Sequence, residues 1–422
     1  MRILLTGATG FIGRHLAEKL ESAGHEVVRV SRGTAGAEMD GLSMDLASVP
    51  PASAWLAHLA GIDVVVNTVG IFRERGQQTF DRLHVAAPRA LFEACVQAGV
   101  RRVIHFSALG ADSQAHSRYH LSKRSGDEAL LALGLDAVVL QPSLVFGLDG
   151  ESSRLFLQLA AAPVHLVPEG AGPVQPVHVD DVAELVLRLV EGAPVEGNQR
   201  LAVVGPASWP WEGYLTALRA GMGLDRARIW RVPRRWVDAA ASASAWLPGS
   251  LLEPDAWKML QRGSVAPVDR MAQALGRLPR GVERFIAPAQ RQLVLTQSRL
   301  LPGLALLRLS IAAVWIGTAI VSSGLYPVAD SLALLERVGA HGALARLMLF
   351  GAAGLDLVLG LLTLASPRRA LWCVQIALIL FYSALISWRL PEYWLHPYGP
   401  MLKNLPMLAG LCLLLAVDGR RR

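Results

Sequence analysis

At 422 residues the chain is too long for one ordinary domain, and two or three units are expected. An apolar content of 52% and a mean hydropathy of +0.37 exclude a purely soluble enzyme, because most of the apolar excess lies in about the last 120 residues. The formal net charge of +7 resides just ahead of that region, where Asp225 to Arg299 holds thirteen Lys and Arg against six Asp and Glu.

Residues 1–6 form a short apolar run entering a Gly-rich turn, which reads as a strand and not as a signal peptide. Ile3-Leu4-Leu5-Thr6 has the continuous apolar character of a fully buried strand. Gly7-Ala8-Thr9-Gly10-Phe11-Ile12-Gly13 follows, then a helical pattern from Arg14 to Ala23. Glycines at this spacing let the loop turn tightly and bring backbone N–H groups against a pyrophosphate, at which the next helix aims its positive end. Gly13 also lets helix and strand approach closely. Three spaced glycines alone are a bland turn; between a strand and a helix they predict a dinucleotide cradle lined by Gly7, Thr9, Gly10, Phe11, Ile12 and Gly13.

The second strand, Glu26–Val30, ends at Ser31-Arg32-Gly33. A carboxylate there would hold the ribose 2′-OH of NAD, whereas the guanidinium of Arg32 suits a 2′-phosphate, so NADP(H) is preferred and NAD is the alternative. The competing reading is that Arg32 is a solvated loop residue. Asp45 and Leu46 are placed to meet an adenine edge. Val64-Val65-Val66-Asn67 is a buried strand running into a loop whose Thr68 and Gly70 could line the cofactor. A helix from about Asp81 to Ala98, a strand Val103–Phe106, a helix from Tyr119 to Leu133 and a strand Ala137–Leu140, with Pro142 just beyond it, continue the alternation. The expected fold is α/β, a doubly wound parallel Rossmann sheet, with ligands beyond the carboxyl ends of the strands.

Ser107 closes one of those strands, and Tyr119 and Lys123 stand four apart, on one face of a helix. An ammonium beside a phenol favours phenolate and lowers its pKa, and Ser107 can hold a carbonyl or alcohol oxygen. Together Ser107, Tyr119 and Lys123 could move a proton while a nicotinamide moves a hydride, Tyr119 and Lys123 also touching the cofactor. The bland alternative is a packed tyrosine and a solvated lysine. Cys95, Cys373 and Cys412 are far apart and have neither metal-ligand nor redox spacing, so no disulfide framework and no metal site are expected.

Thr6–Gly13, Ser107, Tyr119-His120-Leu121-Ser122-Lys123, Gln141–Gly147 and Val177-His178-Val179-Asp180-Asp181-Val182 resemble the extended and atypical short-chain dehydrogenases, above all their complex I-type branch. Leu251–Ile286, with Glu253-Pro254-Asp255-Ala256-Trp257 at its head, looks like the tail of that branch, so the resemblance covers residues 1–290. It implies a nucleotide-binding oxidoreductase fold, in a branch whose complex I member uses its nucleotide structurally. Two departures stand out. His84 replaces an asparagine common in the family, and Gln141 replaces an arginine that commonly precedes the proline. His178, Asp180 and Asp181 are structural by the same resemblance.

Beyond residue 300, Leu300–Leu325, Leu344–Ala365, Ala370–Leu390 and the shorter Met401–Val417 are apolar runs that predict a transmembrane four-helix domain over 300–422. Basic residues beside such helices favour the cytoplasmic face and anionic headgroups. No recognition motif accompanies the charge, so nucleic acid is not an expected partner. Arg368-Arg369, the Arg420–Arg422 tail and the basic stretch before Leu300 would share the cytoplasmic side, with Tyr393, Trp394 and Tyr398 as an aromatic belt opposite. His396-Pro397-Tyr398-Gly399-Pro400 and Lys403-Asn404-Leu405-Pro406 resemble the DoxX-like membrane family. Asp356 within a span needs a partner, and Arg308 on the neighbouring helix is expected to pair with it.

The leading functional expectation is a multi-pass protein of a bacterial inner membrane with a cytoplasmic nucleotide unit. It would be an NAD(P)H-dependent oxidoreductase acting on a small hydrophobic carbonyl, alcohol or quinone-like substrate, with membrane lipid around it. The alternatives are a non-catalytic NADPH-binding scaffold or sensor of a membrane redox complex, and a sugar-nucleotide epimerase or dehydratase.

Overall fold

In the computed structural model the described residues are all but 33–40, 194–198, 245–253, 397–398 and 419–422. Gly33, Leu251, Glu253, Pro397, Tyr398 and the Arg420–Arg422 tail therefore lie outside the described residues. The chain divides into two compact units, Met1–Ser298 and Arg299–Arg422.

In the first unit the strands are β1 (Arg2–Thr6), β2 (Glu26–Ser31), β3 (Leu42–Ser43), β4 (Val64–Asn67), β5 (Arg102–Phe106), β6 (Ala137–Pro142), β7 (Val145–Phe146), β8 (Val164–Pro168), β9 (Val177–His178), β10 (Gln199–Val203) and β11 (Arg228–Val232). Its helices are α1 (Phe11–Ser22), α2 (Ala52–Leu59), α3 (Ala87–Ala98), α4 (Arg118–Leu131), α5 (Glu151–Ala161), α6 (Val179–Val190), α7 (Trp211–Gly221), α8 (Arg234–Ser244), α9 (Pro254–Arg262) and α10 (Asp269–Leu275). Seven strands form one parallel sheet in the order β10-β6-β5-β4-β1-β2-β3. The chain leaves β1 in one direction for β2 and β3 and returns on the other side for β4, so the sheet reverses its winding between β1 and β4. In such sheets the crevice beyond the carboxyl ends at that reversal receives the ligand.

Both faces are covered, which is why the strands read as unbroken apolar runs. Ile3, Leu5, Val64, Val66, Ile104 and Val138 pack on one face with Leu16, Ala17 and Leu20 of α1 and with α6. The four-residue periodicity of that helix faces the sheet. Leu4, Val65, Val103 and Val139 pack on the other face with Trp55, Leu91 and Phe92. A third core joins α5, α7 and the β8–β11 ribbon around Tyr214, Phe146, Phe285 and Val294.

The second unit contains most of α11 (Arg291–Ile320), then α12 (Val328–Val338), α13 (Gly342–Ala365), α14 (Arg369–Arg389) and α15 (Asn404–Asp418). Three helical stretches, Pro288–Leu325, Gly342–Ala365 and Arg369–Arg389, are long and apolar enough to cross a membrane, whereas α15 is a shorter apolar helix of 15 residues. Sequence patterning missed α12, whose acidic and basic residues hide a short helix between two long ones. Gly360 of α13 packs so closely on α11 that a Cβ would stand 3.1 Å from the Ile316 nitrogen. Trp315, Gln375 and Thr363 tie α11, α14 and α13 by buried hydrogen bonds of 3.0 and 2.7 Å.

Candidate nucleotide and active site

The glycine turn is built for close backbone approach. Gly7 ends β1 with φ at +72°, in the left-handed region glycine favours, and a Cβ there would come within 2.6 Å of Thr68 Oγ1. Thr68 donates to the Thr6 carbonyl at 2.7 Å, joining the ends of β1 and β4 at the reversal of the sheet. A Cβ at Gly13 would lie 3.0 Å from Ala8 Cα and collide with the Gly7 carbonyl, so α1 can pack on the turn only through glycine. Gly10 starts α1 with no side-chain cap, and Thr9 and Gly10 are exposed. The first N–H groups of α1 and its positive dipole end are thus open to an anion, and a diphosphate fits this cradle.

The remaining expected cofactor contacts divide. Phe11 flanks the turn and rests on Gly147, where a Cβ would be 2.8 Å from the ring; Ile12 packs on the core. Arg32 is exposed just past β2. Asp45 accepts the Ala47 N–H at 3.0 Å and caps a turn over Leu46–Ser48, while the Leu46 side chain is buried. Pro142 closes β6, its carbonyl accepting from Leu109 N–H at 3.0 Å. Gly70 makes room for Lys123, whose Nζ would stand 2.9 Å from an added Cβ.

Beneath the strand ends lies a buried polar chain. Thr6, Asn67 and His105 are register partners across β1, β4 and β5. Thr6 Oγ1 donates to Asn67 Oδ1 at 2.6 Å, and Asn67 Nδ2 donates to His105 Nδ1 at 3.1 Å. That assignment leaves the His105 proton on Nε2, which faces Asp127 Oδ1 at 3.6 Å. Asp127 is fully buried and accepts from Ser107 Oγ at 2.8 Å, with Arg200 Nε at 3.5 Å and Gln141 Nε2 at 3.4 Å. With glutamine at position 141, the guanidinium beside this carboxylate is that of Arg200 on β10. Burial pushes the Asp127 carboxyl up to about 6, against the pull of Ser107 and Arg200.

Tyr119, Lys123 and Asp127 form one stripe of α4, spaced by four residues. Ser117 caps the helix by accepting the His120 N–H at 3.1 Å. Glycine at 126 lets α4 close on the His84 carbonyl, which a Cβ would strike. Lys123 Nζ donates to the Phe106 carbonyl at 3.0 Å and to that of Val69 at 3.4 Å, and burial pushes it down to about 8. Tyr119 is 8% exposed within an aromatic wall: Phe72 stacks on it at 4.7 Å, and Phe80 and His84 meet it edge-on at 6.1 and 5.6 Å. Phe72 itself is 73% exposed.

Two expectations are corrected by this geometry. The Tyr119 phenol is held above its ordinary value by burial and by Asp127, not below it, because the Lys123 ammonium is turned to backbone carbonyls. The Ser107 hydroxyl is directed at Asp127. His84, at the position the family gives to asparagine, accepts the Ile71 N–H on Nε2 at 3.0 Å, so its proton sits on Nδ1 and donates to Ser122 Oγ at 2.8 Å. Burial and the nearby Lys123 push this ring down to about 2, which fixes it as a neutral acceptor. Sequence reasoning missed Asp127, although it follows Lys123 by four residues; Phe72 and Arg200 carried no such signal. Asp181 is buried against Arg277 at 2.6 Å and Arg280 at 3.2 Å, so it clamps residues 277–280 onto α6.

In the second unit the expected Asp356–Arg308 pair does not form. Arg308 donates to the Thr363 and Leu364 carbonyls at 3.1 and 3.2 Å. The end of α13 leaves carbonyls without helical partners, and the guanidinium satisfies them two turns beyond Asp356. Asp356 is 6% exposed, and its Oδ1 has no hydrogen-bond partner among the described residues.

Comparison with known proteins fits both units. Residues 3–205 match the NAD dependent epimerase/dehydratase family, and residues 312–412 match the DoxX-like family. A ceramide reductase of Caulobacter vibrioides is 31% identical over 252 residues, covering 58% of this chain and 78% of that protein. The mouse mitochondrial NADH dehydrogenase [ubiquinone] 1 alpha subcomplex subunit 9 is 28% identical over 214 residues, 47% of this chain and 55% of that one. A nucleoside-diphosphate-sugar epimerase structure from Staphylococcus aureus superposes with a TM-score of 0.55 at 19% identity, over 68% of this chain and 99% of that chain, a likeness of fold alone.

Proposed function

Because the chain belongs to the NAD dependent epimerase/dehydratase family and carries a DoxX-like membrane domain behind it, we propose that it is an NADPH-dependent, membrane-anchored reductase of a hydrophobic carbonyl or quinone-like substrate. The observation that carries this reading is the placement of Tyr119, a buried phenol stacked beneath the exposed ring of Phe72 on the helix that also bears Lys123. A protonated phenol suits the reductive direction, in which a carbonyl oxygen must gain a proton. The apolar Phe72 at its mouth suits a lipid-partitioned substrate, as does the likeness to a ceramide reductase. Gly7, Gly10 and Gly13 would hold the diphosphate and Arg32 a 2′-phosphate, and the bound dinucleotide supplies the hydride. Tyr119 gives its proton to the substrate oxygen, while Lys123, on the same helix face, is held by the Phe106 and Val69 carbonyls.

Charge supports one orientation. Arg308 and the Arg368–Arg369 pair gather at the end of the second unit where α13 finishes and α14 begins, which supports a cytoplasmic placement of that end in a bacterial inner membrane. A second reading draws on Ser107, whose hydroxyl is occupied by Asp127. On that reading the chain binds NADPH as a scaffold of a membrane redox complex and turns nothing over.

Detergent-purified full-length protein separates the two. The reductase reading expects NADPH oxidation with long-chain ketones, aldehydes or quinones, and Tyr119→Phe is expected to lower kcat by about 10² or more while NADPH affinity stays unchanged. Tight NADPH binding with no turnover on any of these substrates would establish the scaffold. Full activity in the variant would remove Tyr119 from the chemistry.

A further inference from the structure

The surface of β8, β11 and the start of α8 has a composition that the nucleotide site does not explain. β8 and β11 pair in parallel as a ribbon separate from the main sheet. Its inner side is committed, since His165 and Val167 are buried, Val167 within the third core. On its outer side Leu166 and Trp230 are register partners, 58% and 67% exposed. Trp236 on α8 is 62% exposed, although its neighbour Val237 is buried against Trp257. Tryptophan is among the more buried residues of folded chains, so two standing this far out within seven residues need a reason.

The charge supplies one. Residues 226–236 hold five arginines and no acidic residue. All five are exposed. Arg231 reaches Glu212 at 3.2 Å and Arg234 reaches Asp238 at 3.6 Å, whereas Arg226, Arg228 and Arg235 have no carboxylate partner among the described residues. The Arg235 guanidinium lies 5.9 Å from the Trp236 ring. Indole rings favour the headgroup level of a bilayer, and guanidinium groups bind phosphate with paired donors. Apolar side chains rimmed by unpaired positive charge match an anionic lipid surface. The apolar helices of the same chain keep such a surface at high effective concentration.

We propose that this face, centred on Leu166, Trp230 and Trp236 and rimmed by Arg226, Arg228 and Arg235, docks on anionic phospholipid headgroups. Its role is independent of the nucleotide chemistry.

The test uses full-length protein in nanodiscs at one copy per disc, made of phosphatidylcholine alone or with a third of phosphatidylglycerol, read by amide hydrogen exchange. Exchange across 226–240 is expected to slow by about fivefold or more in the anionic discs, since each arginine near such a surface adds that order of preference. The triple variant R226E/R228E/R235E, or R226Q/R228Q/R235Q should the first unfold, is expected to remove the difference while NADPH affinity and exchange in α1 stay as in the parent. Equal exchange in the two lipids would overturn the proposal. So would slowing that appears only at two copies per disc, which would assign the face to a second chain, or a lipid difference that survives in the folded triple variant.

Discussion

At the scale of single residues, the site is dominated by groups that burial forces into one protonation state. His84 is the sharpest case. Its Nε2 must accept from Ile71, so the fold requires the neutral ring, and its value drops from 6.5 to about 2. An unfolded chain would protonate it below 6.5, so the stability tied to this ring is complete above 6.5 and drains away as pH falls, by about 1.4 kcal/mol for each unit. His105, held well below its ordinary value, and His120, pushed down to about 4, act with the same sign. Asp127 opposes them: raised to about 6, it takes a proton more readily when folded, so acid relieves it between 6 and the ordinary carboxylate range. His178, lowered by burial as well, makes four imidazoles against this one carboxyl in the first unit, and the protein is expected to lose stability from pH 6.5 to 5. His84→Asn, which removes one titrating ring, is expected to flatten that slope by about 2 kcal/mol over the interval in denaturant titrations. An unaltered slope would show that His84 protonates freely in the folded state.

At the scale of elements, the turn before α1 makes the strongest demand on sequence. Gly10 has extended φ and ψ of −74° and 170°, a conformation any residue adopts, so its glycine is not required by backbone strain. Its absent side chain leaves the helix end uncapped. Gly10→Asp would place a carboxylate where a helix N-cap wants one, worth about 1 kcal/mol to the apo fold, and in the space a diphosphate would take. The added Cβ meets only the Gly7 carbonyl oxygen, at 3.1 Å. The expected outcome is a thermal midpoint unchanged or raised, with NADPH affinity lowered about tenfold or more, measured side by side by melting and titration calorimetry. Affinity equal to the parent's would place the anion elsewhere.

The same contrast explains what the sequence made legible. Gly7 and Gly13 announce themselves because each residue alone bears a steric requirement, and Ile3–Leu5 and Val64–Val66 because burial on both faces leaves an unbroken apolar run. Asp127 and Phe72 do not, since their roles arise from partners far away in the chain: Ser107, His105 and Arg200 for the first, Tyr119 for the second. The Tyr119–Lys123 spacing set both on one helix face but could not say that Lys123 would turn to the Phe106 carbonyl. The Arg308–Asp356 pairing went astray for a related reason. Charge complementarity was visible, whereas the unpaired carbonyls at the end of α13 that outcompete Asp356 belong to backbone geometry.

At the scale of the whole molecule, two units imply that one can exist without the other, and the place of the cut matters. The boundary at Ser298 falls inside α11, and the first turns of that helix serve the first unit. Val294 is 4% exposed within the core of Phe285, Ile286, Trp211 and Leu218. A chain ending at 298 keeps this contact and sheds the apolar helices. It is expected to remain monodisperse without detergent and to bind NADPH within about threefold of the full-length affinity, which is under 1 kcal/mol. A chain ending at 290 loses Val294 and opens a gap in that core, at a cost of about 2 kcal/mol, so its midpoint is expected about 5 °C lower. Melting the two fragments in detergent-free buffer, with and without NADPH, measures both effects at once. If the 298 fragment aggregates or fails to bind the dinucleotide, the first unit draws its stability from the helices behind it. Equal midpoints for the two fragments would show instead that the opening turns of α11 contribute nothing to its core.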